Sequence, residues 1–195
     1  MASMEMNYEK WHDGVGYDLV ALQNVTEAER HILVSVLGEH LLSNPDWRDV
    51  EALGAIGTRE ALDALRNAMD SVDPKTRMYL EEQLTEMGEP ANLEDSIINA
   101  LRRTTMGTGF SQALDMAEWN PSPRIQDTLL DLALNGDDKQ RIHCAALALY
   151  LGGKADAAFD WNHRPFFLRF SDQDRTVQIE AYRELCQRLG VDSRV

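Results

Sequence analysis

The sequence predicts an all-α protein built from consecutive pairs of helices. Apolar residues recur with helical spacing through almost the whole chain. Period-2 runs of β-branched and aromatic residues are absent, and no Asn-Gly or Asp-Gly pair joins two strand-like runs. Turn signals divide the chain into segments of roughly 30–40 residues, which is the length of one repeat in helical repeat proteins.

The first predicted pair lies at 26–57. Thr26 is suited to cap a helix whose first turn is acidic, and Ser43-Asn44-Pro45 ends that helix. Asp46 is suited to cap the second helix, which closes at Gly57. The pair therefore has a start and a stop signal for each of its helices.

The clearest pair runs from Thr58 to Gly88. Thr58 caps its first helix, and Asp73 precedes a proline that suits the first position of a second helix. The other predicted helices are 92–104, 110–119, 122–134 and 137–151, with a less regular last pair at 166–170 and 172–189. We expect an N-terminal cap segment at 1–25, of which 1–3 are left out of the fold prediction, and one domain at 26–190.

Two of these pairs, 58–88 and 122–153, resemble HEAT repeats. Each has an acidic turn between its helices, a basic residue early in the second helix and a closing glycine. Asp and Arg at these positions help to hold neighbouring HEAT repeats together, and the matching residues here are Asp73 with Arg77 and Asp138 with Arg141. The resemblance implies a right-handed α-solenoid of about five HEAT-like pairs, with the second helices on its concave face.

Charge is distributed unevenly along the chain. The net charge is −14, and residues 1–100 hold 20 acidic and 7 basic residues, a net charge of −13. Residues 101–195 hold 13 acidic and 12 basic residues, a net charge of −1. This field repels nucleic acids and anionic membranes and attracts basic proteins, although acidity that only maintains solubility remains an alternative.

The sequence contains no recognisable catalytic, metal or cofactor motif. None of its five histidines lies in a zinc-binding pattern. Cys144 and Cys186 fall within apolar helical patterns and are predicted to be buried free thiols. His143 points about 100° away from Cys144 on a helix, so these neighbours cannot form a nucleophile–base pair. No cofactor, metal or enzymatic activity is expected.

The aromatic residues near helix ends have two interpretations. The segment around Trp11 and Tyr17 either caps the first repeat, together with Leu19 and Leu22, or forms a recognition loop. Trp47, Trp119 and Trp161 are either packing lids or partner anchors, and the sequence favours lids. The predicted partner-binding residues are Trp11, Asp13, Tyr17, Asp18, Trp47, Asp49, Met78, Glu81, Glu82 and Glu86.

These observations favour a protein that binds a partner. The leading hypothesis is an immunity protein that neutralises a basic, nuclease-type toxin. The chain has no pattern of a secretory signal and no apolar run that could span a membrane, so we expect a cytoplasmic monomer. A generic adaptor or scaffold is the alternative. HEAT-like folds also include DNA-repair glycosylases, but these require a basic groove for phosphate.

Overall fold

The computed structural model describes residues 15–193 and 195. In this part of the chain there are eleven α-helices and two short 3₁₀ segments, and no β-strand. The predicted all-α class is confirmed. Among the described residues, no helix is both long enough and apolar enough to cross a bilayer.

The chain divides into two compact units, Met1–Ser96 and Ile97–Val195. The helices before the boundary are α1 (Leu19–Gln23), α2 (Glu27–Ser43), α3 (Trp47–Ile56), α4 (Arg59–Ala68) and α5 (Pro74–Glu86). The boundary lies within α6 (Leu93–Arg103). The helices after it are α7 (Phe110–Trp119), α8 (Pro123–Asn135), α9 (Asp138–Leu151), α10 (Arg164–Leu168) and α11 (Arg175–Leu189), with 3₁₀ segments at Trp161–His163 and Arg169–Ser171.

Helices α2 to α5 of unit 1 begin at the residues that the sequence predicts, whereas α1 was not predicted. Thr26 and Glu29 form a capping box, in which each side chain accepts the other residue's backbone N–H. Asp46 caps α3 by accepting the N–H of Arg48, and Thr58 caps α4 in the same way. Gly57 ends α3 in the left-handed region, with φ 66°, which a side chain would strain.

Two layers of helices enclose the core of unit 1. Helices α2 and α4 pack side by side in one layer, α3 and α5 in the other, and each layer also packs against the other. Leu41, Leu53 and Leu65 are fully buried in this core. At Gly54, a Cβ atom would lie 1.8 Å from the side-chain Oε1 of Gln83, so a glycine lets α3 and α5 approach closely.

The described part of the N-terminal segment packs against this core. Leu22 of α1 is buried, and Tyr17 and Leu19 contact the same cluster. These three residues therefore cover part of the core of unit 1, and the capping of a first repeat stays a prediction. Trp11 and Asp13, the other predicted contacts in this segment, lie outside the described residues.

Unit 2 is organised around α9, which packs against α7, α8, α10 and α11. The side chains from Cys144 to Leu149 are all buried, and Cys144 and Cys186 are both buried free thiols, as predicted. Arg141 pairs with Asp138 and donates from Nε to the carbonyl oxygen of Phe170 at 2.7 Å. This arginine therefore joins α9 to the following helical segment.

The predicted helices at 92–104, 110–119, 122–134 and 137–151 are confirmed to within one residue at each end, with two differences elsewhere. In the last pair, α11 begins at Arg175 because Asp174 accepts the N–H of Thr176, whereas Asp172 forms the preceding turn. In the second pair, Asp73 caps α5, and the guanidinium of Arg77 contacts Asp70 and Glu81 instead.

Candidate functional site

Three carboxylates meet on the layer formed by α3 and α5. Glu82 and Glu86 are one turn apart on α5, and Glu51 faces them from α3. We call these three residues the acidic patch. Partial burial, followed by repulsion from Glu86, raises the pKa of Glu51 above its ordinary value. The pKa of Glu82 is raised by burial and by repulsion from both of the other carboxylates.

The acidic patch is only weakly compensated in the described part of the chain: the charge of Arg48 lowers the pKa of Glu51, but burial and Glu86 outweigh it. No basic side chain there forms an ion pair with Glu51, Glu82 or Glu86. The polar contact at the patch is neutral, because the amide of Gln83 donates to Glu86 at 2.7 Å. The negative charge of the patch is therefore directed to solvent.

Two aromatic rings adjoin the acidic patch. Trp47 lies one turn before Glu51 on α3, Tyr79 lies one turn before Glu82 on α5, and their ring centroids are 6.0 Å apart. The guanidinium of Arg48 lies 4.8 Å from the centroid of the Trp47 ring. Trp47 is partly buried, so it is neither a fully covered lid nor a free side chain. The surface thus combines a negative patch with a fixed aromatic pair.

Asp49, which the sequence predicts as a partner contact, is buried in the free chain. Its side chain is 0% exposed. Its Oδ1 accepts a hydrogen bond from the Tyr17 hydroxyl at 3.1 Å, and its Oδ2 lies 2.6 Å from Nδ1 of His40. Burial and the neighbouring carboxylate raise the pKa of Tyr17 to about 12. Asp49 therefore ties the segment before α1 and the end of α2 to α3.

Met78 and Glu81 are also buried, so the prediction that they face an open groove is wrong. They are 0% and 2% exposed. Glu81 accepts the backbone N–H of Asn92 at 2.7 Å, at the start of α6, where a carboxylate is favourable. Helix α5 is buried over a wide arc, since Thr76 and Met78 are covered as well as Leu80 and Leu84.

The other predicted contacts remain predictions. Asp18 is exposed but caps α1 by accepting the N–H of Ala21. Glu82 and Glu86 are accessible as predicted, and Glu51 was missed, although its spacing of four residues from Trp47 is visible in the sequence. Trp119 and Trp161 are 70% and 73% exposed, so the lid interpretation is wrong for both.

Two features of the described residues concern metal binding and thiol reactivity. Among them, no group of three His, Cys, Asp or Glu side chains has the arrangement of a metal site. Burial raises the pKa of the Cys144 thiol, which disfavours the nucleophilic thiolate. The chemistry that the acidic patch can perform is electrostatic recognition of a cation-rich surface. The chain matches no protein-family model, no curated protein and no solved structure.

Proposed function

We propose that this chain is a non-catalytic protein-binding module whose acidic patch and Trp47–Tyr79 pair bind a basic protein. The partner in this proposal is a nuclease-type toxin, and the chain is the immunity protein that neutralises it in the cytosol. The proposal retains the right-handed, HEAT-like solenoid of about five pairs. In such a solenoid, α3 and α5 are second helices of neighbouring repeats and belong to the binding face.

The observation that carries the proposal is the acidic patch, whose net effect is to raise the pKa of Glu51 and Glu82 despite the nearby Arg48. Placing Glu51 and Glu82 in partly desolvated positions near Glu86 opposes folding, and such perturbed groups cluster at functional sites. A guanidinium or ammonium group from a partner would relieve the repulsion between Glu51, Glu82 and Glu86. Complex formation would then replace repulsion between these carboxylates in the free protein by attraction to the partner's cation.

The charge of the patch indicates the class of partner. Proteins that act on nucleic acid present basic surfaces to the phosphate backbone. An acidic protein that covers such a surface blocks substrate binding, and long-range attraction accelerates its association with the target. Fast association suits an inhibitor that must capture a toxin before the toxin acts.

The aromatic pair supplies the contact that holds the complex together. Tryptophan and tyrosine are enriched among the residues that dominate binding energy. The contact of Trp47 with Tyr79 limits the motion of both rings, which reduces the entropy lost on binding. Arg48 lies over the Trp47 ring in a cation–π contact, and a cation of the partner could make the same kind of contact with the Tyr79 ring.

The function is tested by recovery of the natural partner. A tagged full-length chain is used to capture proteins from the native cell, and the captured protein is identified and assayed for nuclease activity. We expect a basic protein whose activity is blocked at a one-to-one ratio. A basic partner without such activity would favour the adaptor alternative, and a neutral or acidic partner bound equally well at high salt would contradict the electrostatic mechanism.

The site is tested with a matched pair of charge-reversal variants. Glu82→Lys with Glu86→Lys should slow association with that partner by about tenfold or more and weaken its salt dependence. Glu39→Lys with Glu60→Lys makes the same charge change on exposed positions of α2 and α4, and it should have a much smaller effect. Trp47→Ala should instead accelerate dissociation, roughly 30-fold for a loss of about 2 kcal/mol.

A further inference from the structure

Unit 2 contains a pocket between α7, α9 and the segment that precedes the 3₁₀ turn at Trp161. Its volume is about 200 Å³. Leu147 of α9 is buried, and Leu114 of α7 and the ring of Phe159 add further apolar surface. The pocket is smaller than the roughly 300 Å³ at which sites for drug-sized ligands begin. It therefore fits one side chain or a short alkyl group.

The aromatic wall of the pocket is fixed in place. The Phe159 ring contacts the His143 ring at 5.5 Å, the Phe167 ring at 5.3 Å and the Trp161 ring at 5.9 Å, measured between centroids. Phe167 is fully buried. A ring held on several sides can present its face to a ligand without a large loss of side-chain entropy.

Charge at the pocket is negative. Asp115 and Glu118 lie three residues apart on α7, so both are on the side of the helix that lines the pocket. In the described part of the chain, no basic side chain forms an ion pair with either carboxylate. Burial lowers the pKa of His143, so its ring is mainly neutral at pH 7 and does not repel a cation.

We propose that this pocket binds an alkyl cation, a group with an apolar stem and a terminal ammonium or guanidinium. The stem packs against Leu114 and Leu147, the positive end is attracted by Asp115 and Glu118, and the Phe159 ring contributes a cation–π contact. The lysine or arginine side chain of a polypeptide and a free aliphatic amine share this chemistry. The proposal concerns unit 2 and does not depend on the acidic patch of unit 1.

The test is titration of the isotope-labelled full-length protein, followed by NMR. The probes are N-acetyl-lysine methylamide, N-acetyl-arginine methylamide, the diamine cadaverine and the neutral N-acetyl-norleucine methylamide. We expect the cations to shift the resonances of Leu114, His143 and Phe159, with norleucine binding at least fivefold more weakly. Tighter binding of the capped amino acids identifies a polypeptide side chain as the ligand, and tighter binding of cadaverine identifies a free amine.

Variants separate a specific site from general attraction to an acidic protein. Asp115→Asn with Glu118→Gln preserves side-chain size and should weaken cation binding about tenfold. Glu180→Gln removes one exposed charge from α11 and should leave it unchanged. Equal binding of norleucine and lysine, equal loss in the Glu180 variant, or no shift at the pocket with any probe would overturn the proposal.

Discussion

Unit 1 and unit 2 are both built from α-helices but differ in how far their acidic side chains are paired with basic ones. Residues 15–96 hold 17 acidic and 6 basic side chains, whereas residues 97–195 hold 13 and 12. In unit 2, arginines neutralise carboxylates in the pairs Arg102–Asp131, Arg141–Asp138 and Glu184 with both Arg169 and Arg188. In the described part of unit 1, basic residues form no ion pair with Glu51, Glu82 or Glu86, and Arg48 offsets the raised pKa of Glu51 only in part.

The same difference exists between neighbouring residues of α5. Glu81 and Glu82 have identical chemistry and adjacent positions. Glu81 is buried and accepts an internal N–H, whereas Glu82 has a raised pKa and no ion-pair partner among the described residues. Glu81 therefore contributes to the stability of the fold, whereas Glu82 is accessible to a partner. The predictions below test this division.

The largest effect is expected from removal of the buried carboxylate. Glu81→Ala should lower the free energy of unfolding by about 2–3 kcal/mol, because the N–H of Asn92 loses its acceptor and a cavity remains. Glu82→Ala should leave stability unchanged or raise it slightly. Urea unfolding followed by circular dichroism measures both variants. Similar losses in the two variants would show that the internal hydrogen bond of Glu81 does not distinguish them.

In unit 2, a polar side chain at Cys144, on the buried side of α9, should lower the free energy of unfolding. Cys144→Ser should cost about 1–2 kcal/mol, because the serine hydroxyl is buried in apolar surroundings. Cys144→Ala removes the polar atom and should cost less than the serine variant. Unfolding midpoints of the two variants give the comparison. A serine variant as stable as the wild type would mean that the hydroxyl finds a partner at this position.

The sequence predicted the helix starts well because their signals are local. Thr26, Asp46 and Thr58 each accept an N–H two or three residues ahead, a geometry that depends only on nearby backbone. For the last helix, two aspartates are suited to the N-cap position. The sequence predicts a start at Asp172, whereas Asp174 is the N-cap in the structure. Local signals therefore fix a helix start to within a few residues.

The candidate site was harder to predict because exposure depends on neighbouring helices. Met78 and Glu81 are buried because the surrounding structure covers a wide arc of α5. The apolar periodicity of α5 alone does not give the width of that arc. Asp49 pairs with His40 on another helix, and the sequence gives no distance between them. The surplus of negative charge was correctly located in the N-terminal half, since charge is a property of composition. Its concentration at Glu51, Glu82 and Glu86 required the packing of α3 against α5.

The smallest effect is expected from neutralising the acidic patch in the absence of a partner. Glu51→Gln and Glu82→Gln each remove repulsion from a partly buried site. Together they should stabilise the free protein by about 0.5 kcal/mol, which raises Tm by about 1–2 °C in a chain of this size. Glu180→Gln, on an exposed part of α11, is the matched control and should change Tm by less.

The pH dependence of this gain identifies its cause. Folding raises the pKa of Glu51 and Glu82 above the ordinary value of 4.5, so the folded state disfavours their ionised forms. The penalty is absent well below pH 4.5, develops as pH rises through the ordinary pKa, and is complete above the raised one. Calorimetry should therefore find the double variant more stable than the wild type at pH 7 and equal to it near pH 3.5, if the protein remains folded there. A gain that persists unchanged at the lower pH would come from glutamine packing or helix propensity, and the acidic patch would then hold no electrostatic energy for a basic partner to release.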